Sequence, residues 1–140
     1  MNYENTRCCY CWQKPDTSQS DQLLSGAQQL LTVHTFLSGE ECLYRLRKNF
    51  IPDFIITDLN PNDHSGFDFL KLVKEISPST DVIFFADFDD PKIAIKLHEA
   101  GATDYIRKST KPDIGISELI KNIKYLARER AMSWFIASAI

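Results

Sequence analysis

The sequence predicts an α/β fold in which a doubly wound parallel sheet carries helices on both faces. Two observations predict it. Short apolar runs alternate with amphipathic segments along the chain, an order typical of βαβ units. The third and fourth runs are apolar without interruption, as expected of central parallel strands that are covered on both faces. The length of 140 residues corresponds to one domain, which can bury a single core without metals or disulfides.

Five apolar runs predict the strands. The first is CCYCW, and the second, LLTVHTF, is rich in β-branched residues. The third and fourth are FIITDL and VIFFA, and DYIRK is a short fifth run. The predicted strands span residues 8–12, 30–36, 54–59, 82–86 and 104–108.

The segments that follow these runs predict five helices. A capping box begins the second helix, with Ser38 as its N-cap and Glu41 three residues later. Pro91 suits the first position of the fourth helix, and Gly101 suits its end. Apolar spacing predicts the others at 16–25, 66–76 and 116–127. The last pattern continues without Gly or Pro, so we expect a domain at 1–128 and a helical extension at 129–140.

Composition argues against several classes of protein. The net charge is −3 and no Lys/Arg-rich run is present, so nothing predicts binding of nucleic acid. The first residues lack the basic and apolar parts of a secretory signal. No apolar run reaches the ~18 residues of a membrane span. We therefore expect a cytoplasmic protein with no membrane contact.

Four cysteines and three histidines raise the question of a metal or redox site. Cys8 and Cys11 have the C-x-x-C spacing, but no second pair completes a zinc site, and a strand is not where a redox motif usually lies. The histidines are scattered over a strand, a loop and a helix. We expect the cysteines to be reduced, buried and apolar in behaviour. The residues concerned are Cys8, Cys9, Cys11, Cys42, His34, His64 and His98.

Two charged residues stand at strand ends that a parallel sheet brings to one edge. Asp58 comes at the end of the third run and Lys108 at the end of the fifth. Ligands bind beyond the carboxyl ends of the strands in such sheets. Taken singly, Asp58 could be a structural loop cap and Lys108 a solvated surface lysine. Together they predict a site in which an ammonium group partners a carboxylate or a phosphate.

The stretch from residue 52 to 109 resembles the receiver domains of two-component signalling, and a weaker likeness extends over about 6–128. The separation of Asp58 and Gly66, combined with a G-A-x-D-Y-x-x-K segment, makes the resemblance specific. It implies a flavodoxin-like (βα)5 sandwich with strand order 2-1-3-4-5. The matching positions are Asp53, Asp58, Leu59, Gly66, Gly101, Ala102, Asp104, Tyr105 and Lys108.

The resemblance also implies roles for individual residues. Asp58 would accept a phosphoryl group from a partner histidine kinase, and Lys108 would contact the phosphoryl oxygens. Tyr105 would be the aromatic switch residue. Asp58 and the carbonyl of Asn60 would bind Mg²⁺ together with two acidic residues after the first strand. Metal and lysine would neutralise the charge that phosphoryl transfer concentrates.

Three departures from the family pattern affect this chemistry. Trp12 and Gln13 occupy the positions of the acidic pair, and Asp16 is a poorly placed substitute. Ala86 replaces the switch Ser or Thr, and Asp87 follows it. Ser109 replaces the proline after the lysine, which makes a cis peptide there unfavourable. Mg²⁺ binding is therefore expected to be weak at most, with no other cofactor.

Three functions compete. The first choice is a divergent, pseudo-receiver module that regulates by binding another protein and has no enzymatic activity. The alternative is a working phosphoreceiver, phosphorylated on Asp58 by a histidine kinase and controlling an output domain or partner. An enzyme of another doubly wound family is weakest, because no glycine cradle or nucleophile elbow is present.

The expected partners are a histidine kinase or another signalling protein. The apolar stretch 131–140 either folds back on the domain or, as an exposed stripe that needs a partner, forms a homodimer contact with the last helix.

Overall fold

The computed structural model describes residues 7–11, 32–58, 64–86, 90–107 and 112–139. The five strands in these ranges run parallel in one sheet of order β2-β1-β3-β4-β5, which confirms the predicted topology. β1 lies between β2 and β3, so that Cys9 faces His34 on one side and Ile55 on the other. The strands are β1 (Arg7–Cys11), β2 (Thr32–Phe36), β3 (Phe54–Thr57), β4 (Asp81–Ala86) and β5 (Asp104–Arg107).

Four helices lie in the described part of the chain, and they correspond to the second to fifth predicted helices. The predicted helix 16–25 lies outside the described residues. The bounds are α1 (Gly39–Arg47), α2 (His64–Ile76), α3 (Pro91–Glu99) and α4 (Pro112–Ala139). α2 begins two residues before the predicted Gly66. α4 has 28 residues and continues through the predicted extension. No helix of the described ranges is long and apolar enough to cross a membrane.

Side-chain caps fix the beginnings of α1 and α3. Ser38 accepts a hydrogen bond from the backbone N–H of Glu41 at 3.1 Å, as the capping box predicts. The Glu41 carboxylate accepts a hydrogen bond from the backbone N–H of Leu37 at 3.4 Å. A capping box would instead use the N–H of Ser38, the next residue. Asp90 accepts from the N–H of Lys92 at 3.0 Å and begins α3. These caps satisfy N–H groups that the first helical turn leaves without partners.

Gly101 ends α3 in the left-handed conformation, with φ of 107°. The hydrogen that replaces a side chain here leaves room for Lys74, because an added Cβ would lie 3.2 Å from its Cγ. A non-glycine residue would therefore meet both backbone strain and crowding. The prediction of Gly101 as the helix end is confirmed.

Two apolar clusters cover the two faces of the sheet. Neighbouring residues of a strand point to opposite faces, and Ile55 and Ile56 of β3 accordingly belong to different clusters. The first cluster includes buried side chains of α1, α2 and α3, and the second includes those of α4. Cys9, Phe84 and Leu70 lie in the first cluster, and Cys8, Phe85, Leu119 and Ile123 in the second.

Cys8, Cys9 and Cys42 are buried, reduced thiols, in agreement with the prediction for these three. Burial, with a smaller contribution from the charge of Asp53, raises the pKa of Cys8 from 9.0 to about 12. The side chain of Cys11 lies outside the described part of the structure.

At the amino ends of the strands, Arg130 connects α4 to the sheet. Its guanidinium donates to the carbonyl oxygen of Ser79 at 2.9 and 2.7 Å and to the carboxylate of Asp81 at 3.0 Å. Asp53 lies 3.6 Å from the same group and accepts from the backbone N–H of Arg7 at 3.0 Å. These contacts join residues that are far apart in the sequence.

Thr80 forms a second, buried group of hydrogen bonds at the same ends. Its hydroxyl donates to the carbonyl of Pro52 at 2.8 Å and shares a 2.6 Å hydrogen bond with Ser77. Lys74 donates to the carbonyl of Thr80 at 2.7 Å. We call the hydrogen bonds of Arg130 and Thr80 together the amino-edge network.

Candidate functional site

The candidate site begins where β3 ends. All four residues of β3 are buried, and their apolar side chains pack on both faces of the sheet. Asp58 follows Thr57 directly, lies outside the strand and is half-buried. The strand predicted at 54–59 therefore extends two residues beyond the observed end of β3 at Thr57. A buried strand therefore delivers one carboxylate to the carboxyl edge, where its polar group can reach solvent.

The strand register places the end of β4 beside this carboxylate. Thr57 pairs with Phe84, so Asp58 comes one residue after that pair and Ala86 two residues after it. β4 ends at Ala86. Its backbone is described, although its side-chain environment is not. Whatever its orientation, an alanine side chain has no hydroxyl with which to hydrogen-bond a phosphoryl oxygen.

Tyr105 approaches the same region from β5. It pairs with Phe84 of β4 and packs, half-buried, against the cluster formed with α1, α2 and α3. It also lines a small cavity of about 150 Å³ between α3 and β5, together with Leu97, His98 and Asp104. The switch role that the family resemblance predicts for Tyr105 would require a change of side-chain rotamer.

Asp104 fixes the beginning of β5 through two hydrogen bonds. This structural role was not predicted from the sequence. One carboxylate oxygen accepts from the backbone N–H of Tyr105 at 2.8 Å. The other accepts a hydrogen bond from the side chain of Asn122 on α4. Asp104 therefore connects the backbone of the switch candidate to the last helix. The position of Asp104 next to the predicted switch residue Tyr105 could have indicated this role. Its partner Asn122 lies 18 residues away along the chain and could not be predicted.

Several predicted site residues lie outside the described part of the structure. The structure brings together the chain positions of Asp58, Ala86 and Tyr105. It does not test the roles predicted for the remaining residues, whose placement follows only from the sequence. These are Trp12, Gln13, Asp16, Asn60, Asp87, Lys108 and Ser109.

By sequence, the set of acidic ligands that the family pattern uses for Mg²⁺ is incomplete in this chain. The family pattern requires the acceptor carboxylate and two further acidic side chains. Only Asp58 supplies a carboxylate at these positions, since the other two are Trp12 and Gln13. Mg²⁺ prefers hard oxygen ligands, of which an indole has none. Within the described residues, no group of three or more His, Cys, Asp or Glu side chains is arranged to hold a metal.

Comparison with known proteins identifies the family. The family model of the response regulator receiver domain matches residues 17–123. The uncharacterized transcriptional regulatory protein YxjL of Bacillus subtilis is 26% identical over 99% of this chain. A protein-glutamate methylesterase/protein-glutamine glutaminase of Geobacter sulfurreducens is 29% identical over 74% of it. The matched regions make up 62% and 26% of these two relatives, so the chain spans only part of their length.

A solved structure agrees with the family. The BeF3-activated receiver domain of DrrB from Thermotoga maritima superposes with a TM-score of 0.65 and is 27% identical. The superposition covers 86% of this chain and 98% of the DrrB domain. Sequence, topology and the position of Asp58 after β3 agree with this likeness. The chain therefore belongs to the response regulator receiver family, and it is a receiver domain of two-component signalling.

Proposed function

We propose that this receiver domain regulates by protein binding and that aspartyl phosphorylation contributes little to its signal. The end of β4 at Ala86 is the observation that carries the proposal. A phosphoryl group on Asp58 would lie near this strand end, where a hydroxyl would be needed to hydrogen-bond it. With alanine there, a phosphoryl group on Asp58 has no hydroxyl with which to pull the end of β4 toward it, so phosphorylation would shift the conformation of the domain little.

The charge balance at the acceptor supports the same proposal. Phosphoryl transfer to an anionic carboxylate needs positive charge to neutralise the transition state. The substitution of Trp12 and Gln13 for acidic residues removes most of the negative charge that would hold Mg²⁺. Lys108 alone would remain to neutralise the phosphoryl group. Transfer to Asp58 is therefore expected to be slow.

A working phosphoreceiver is the second candidate. Asp58 follows a buried strand and is half-buried, as an acceptor should be. Tyr105 lies in a strand next to β4 and beside a cavity. In this case a histidine kinase would be the phosphodonor and an output domain or partner would read the change.

The two candidates are separated by incubation of the protein with Mg²⁺ and acetyl phosphate, followed by intact mass spectrometry. We expect no phospho-adduct above the level of an Asp58→Asn control. A variant that restores the family pattern, with Trp12→Asp, Gln13→Asp and Ala86→Thr, should gain an adduct that adding Asp58→Asn removes. A full adduct on the unmodified protein, absent in Asp58→Asn, would establish the phosphoreceiver instead.

Mg²⁺ affinity is measured independently by tryptophan fluorescence. Trp12 follows β1 in the sequence, and the family resemblance predicts that it lies beside the proposed site, whereas Trp134 lies in α4. A Trp134→Phe background therefore isolates the signal of Trp12. We expect no change at millimolar Mg²⁺. A saturating change that Asp58→Asn abolishes would contradict the proposed loss of the metal site.

We further propose that the protein acts in the cytoplasm, with a histidine kinase or another signalling protein as partner, and has no catalytic activity of its own. The name of YxjL as a transcriptional regulatory protein supports a regulatory output. The methylesterase relative makes an enzymatic output the alternative, although this chain matches only 26% of that protein. Pull-down with candidate kinases, compared between the unmodified protein and Asp58→Asn, tests whether binding needs the carboxylate.

Homodimer formation through α4 is the remaining proposal about partners. Tyr125 and Met132 are exposed to 62% and 52% and lie seven residues apart, which places them on the same side of a helix. Light scattering after gel filtration should show a dimer that Tyr125→Lys with Met132→Lys converts to a monomer. A monomer at all concentrations in the unmodified protein would exclude this proposal.

A further inference from the structure

Two thiols meet between the sheet and α1. Cys9 of β1 is fully buried and Cys42 of α1 is 1% exposed. Both belong to the same apolar cluster, and their side chains are hydrogen-bonded to each other. The contact joins a strand to the helix that covers it. It is not the C-x-x-C pair that the sequence suggests, because that motif consists of Cys8 and Cys11.

Cys8 is excluded as a partner of Cys42 by the geometry of the sheet. It belongs to the cluster on the opposite face, which it shares with side chains of α4. Its thiol contacts the carbonyl oxygen of its neighbour Cys9 at 3.8 Å. Neighbouring residues of a strand point to opposite faces, so the sheet itself separates Cys8 from Cys42. Cys9 and Cys42 are therefore a specific pair.

Burial in the folded protein protects Cys9 and Cys42 from oxidants. The hydrogen bond that Cys9 shares with Cys42, together with burial, raises the pKa of Cys9 far above the usual range of a thiol. The thiolate is the form that reacts with oxidants. Because the pKa is raised, little thiolate is present while α1 is packed against the sheet. α1 is short, with nine residues, and is held by the Ser38 cap and by the buried Cys42, Leu43 and Leu46. Opening of such a short element gives an oxidant access without global unfolding.

We propose that Cys9 and Cys42 are a redox site, which a peroxide or a small disulfide oxidises to a disulfide that joins β1 to α1. With hydrogen peroxide, one thiolate attacks a peroxide oxygen, so that an S–O bond forms, the O–O bond breaks and water leaves. The sulfur of the second thiol then displaces the second oxygen as water and forms the S–S bond. The two thiols together lose two protons and two electrons, and the peroxide is reduced to water.

The disulfide would change the protein in a defined way. It would close a loop that contains β2 and all residues between β1 and α1. A cross-link of this kind restricts the unfolded chain and favours the folded state. It would also prevent α1 from leaving the sheet. The site lies apart from Asp58, so the inference does not depend on how phosphorylation acts.

The test is oxidation of the folded, full chain with hydrogen peroxide, followed by alkylation of the remaining thiols and peptide mapping. We expect a mass lower by two hydrogen atoms, two fewer alkylated cysteines and a peptide pair linked through Cys9 and Cys42. Dithiothreitol should restore four alkylated thiols. The midpoint of urea unfolding should rise in the oxidised protein.

Three variants make the result specific. Cys42→Ser should abolish the linked pair, whereas Cys8→Ser should leave it. Ser38→Ala, which removes the cap of α1, should increase the rate of cross-linking several-fold. Circular dichroism establishes that each variant is folded. The proposal is overturned by a link through Cys8 or Cys11, by sulfinic acid without a disulfide, or by cross-linking that occurs only in denaturant.

Discussion

At the amino edge of the sheet, side chains of several elements are tied together by short hydrogen bonds, whereas the carboxyl edge carries the carboxylate and the switch candidates. Arg130 and Thr80 organise the first edge. Asp58 and Tyr105 belong to the second, and both are half-buried. The hydrogen bonds of Arg130 and Thr80 thus stabilise the domain at the end of the strands opposite to the candidate site. We predict that substitution of Asp58 destabilises the domain less than substitutions in the amino-edge network.

The largest expected effect is that of Thr80→Val at the amino edge. Valine has nearly the shape of threonine, but it leaves the buried carbonyl of Pro52 and the hydroxyl of Ser77 without this partner. The free energy of unfolding should fall by about 1–3 kcal/mol, measured by urea denaturation. The exposed strand residue Thr35 provides the control, and Thr35→Val should change stability by less than about 0.5 kcal/mol. Equal effects of the two variants would contradict a special role for the amino edge.

Arg130→Ala should have the next largest effect. It removes the donor to Ser79 and Asp81 and the neighbour of Asp53. Because the side chain is 30% exposed, water replaces part of the lost interaction, and we expect a loss of about 1–2 kcal/mol. The loss should be smaller at high salt, since salt screens exposed charges. The exposed Arg128 of the same helix is the matched control, and a similar loss in Arg128→Ala would show that net charge alone is responsible.

The smallest expected effect is that of Asp58→Asn at the carboxyl edge. Asparagine keeps the shape of the side chain, and the position is half-buried. We expect a change in unfolding free energy of less than about 0.5 kcal/mol, compared with the much larger loss in Thr80→Val. A destabilisation equal to that of Thr80→Val would mean that Asp58 has a structural function as well, and the proposed separation of the two edges would be wrong.

The sequence predicted the fold well because its signals are local or periodic. The apolar runs of β3 and β4 identify buried strands, and Ser38, Pro91 and Gly101 mark helix ends by their backbone preferences. The strand order came from the family resemblance. The differences are small: α2 begins at His64, and Asp58 lies outside β3.

Contacts between distant residues could not be predicted in the same way. The pairing of Arg130 with Asp81 and of Asp104 with Asn122 depends on how α4 packs across the sheet. The spacing of the cysteines suggested a local motif, while the thiol contact is between β1 and α1. The candidate site was predicted from a resemblance of positions, and the placement of Asp58 and Tyr105 agrees with it. The roles of Asp58 and Tyr105, like those of the metal-binding and phosphoryl-contacting residues, remain predictions.

The length of α4 has a mechanical consequence. A helix of 28 residues is roughly 42 Å long, and residues 128–133, which follow the buried Ala127, are exposed or half-buried. Arg130 connects this part of the helix to the amino edge of the sheet through its hydrogen bonds to Asp81 and Ser79. If α4 tilted about this contact, Ala139, nine residues beyond Arg130, would be displaced slightly more than Ile123, seven residues before it.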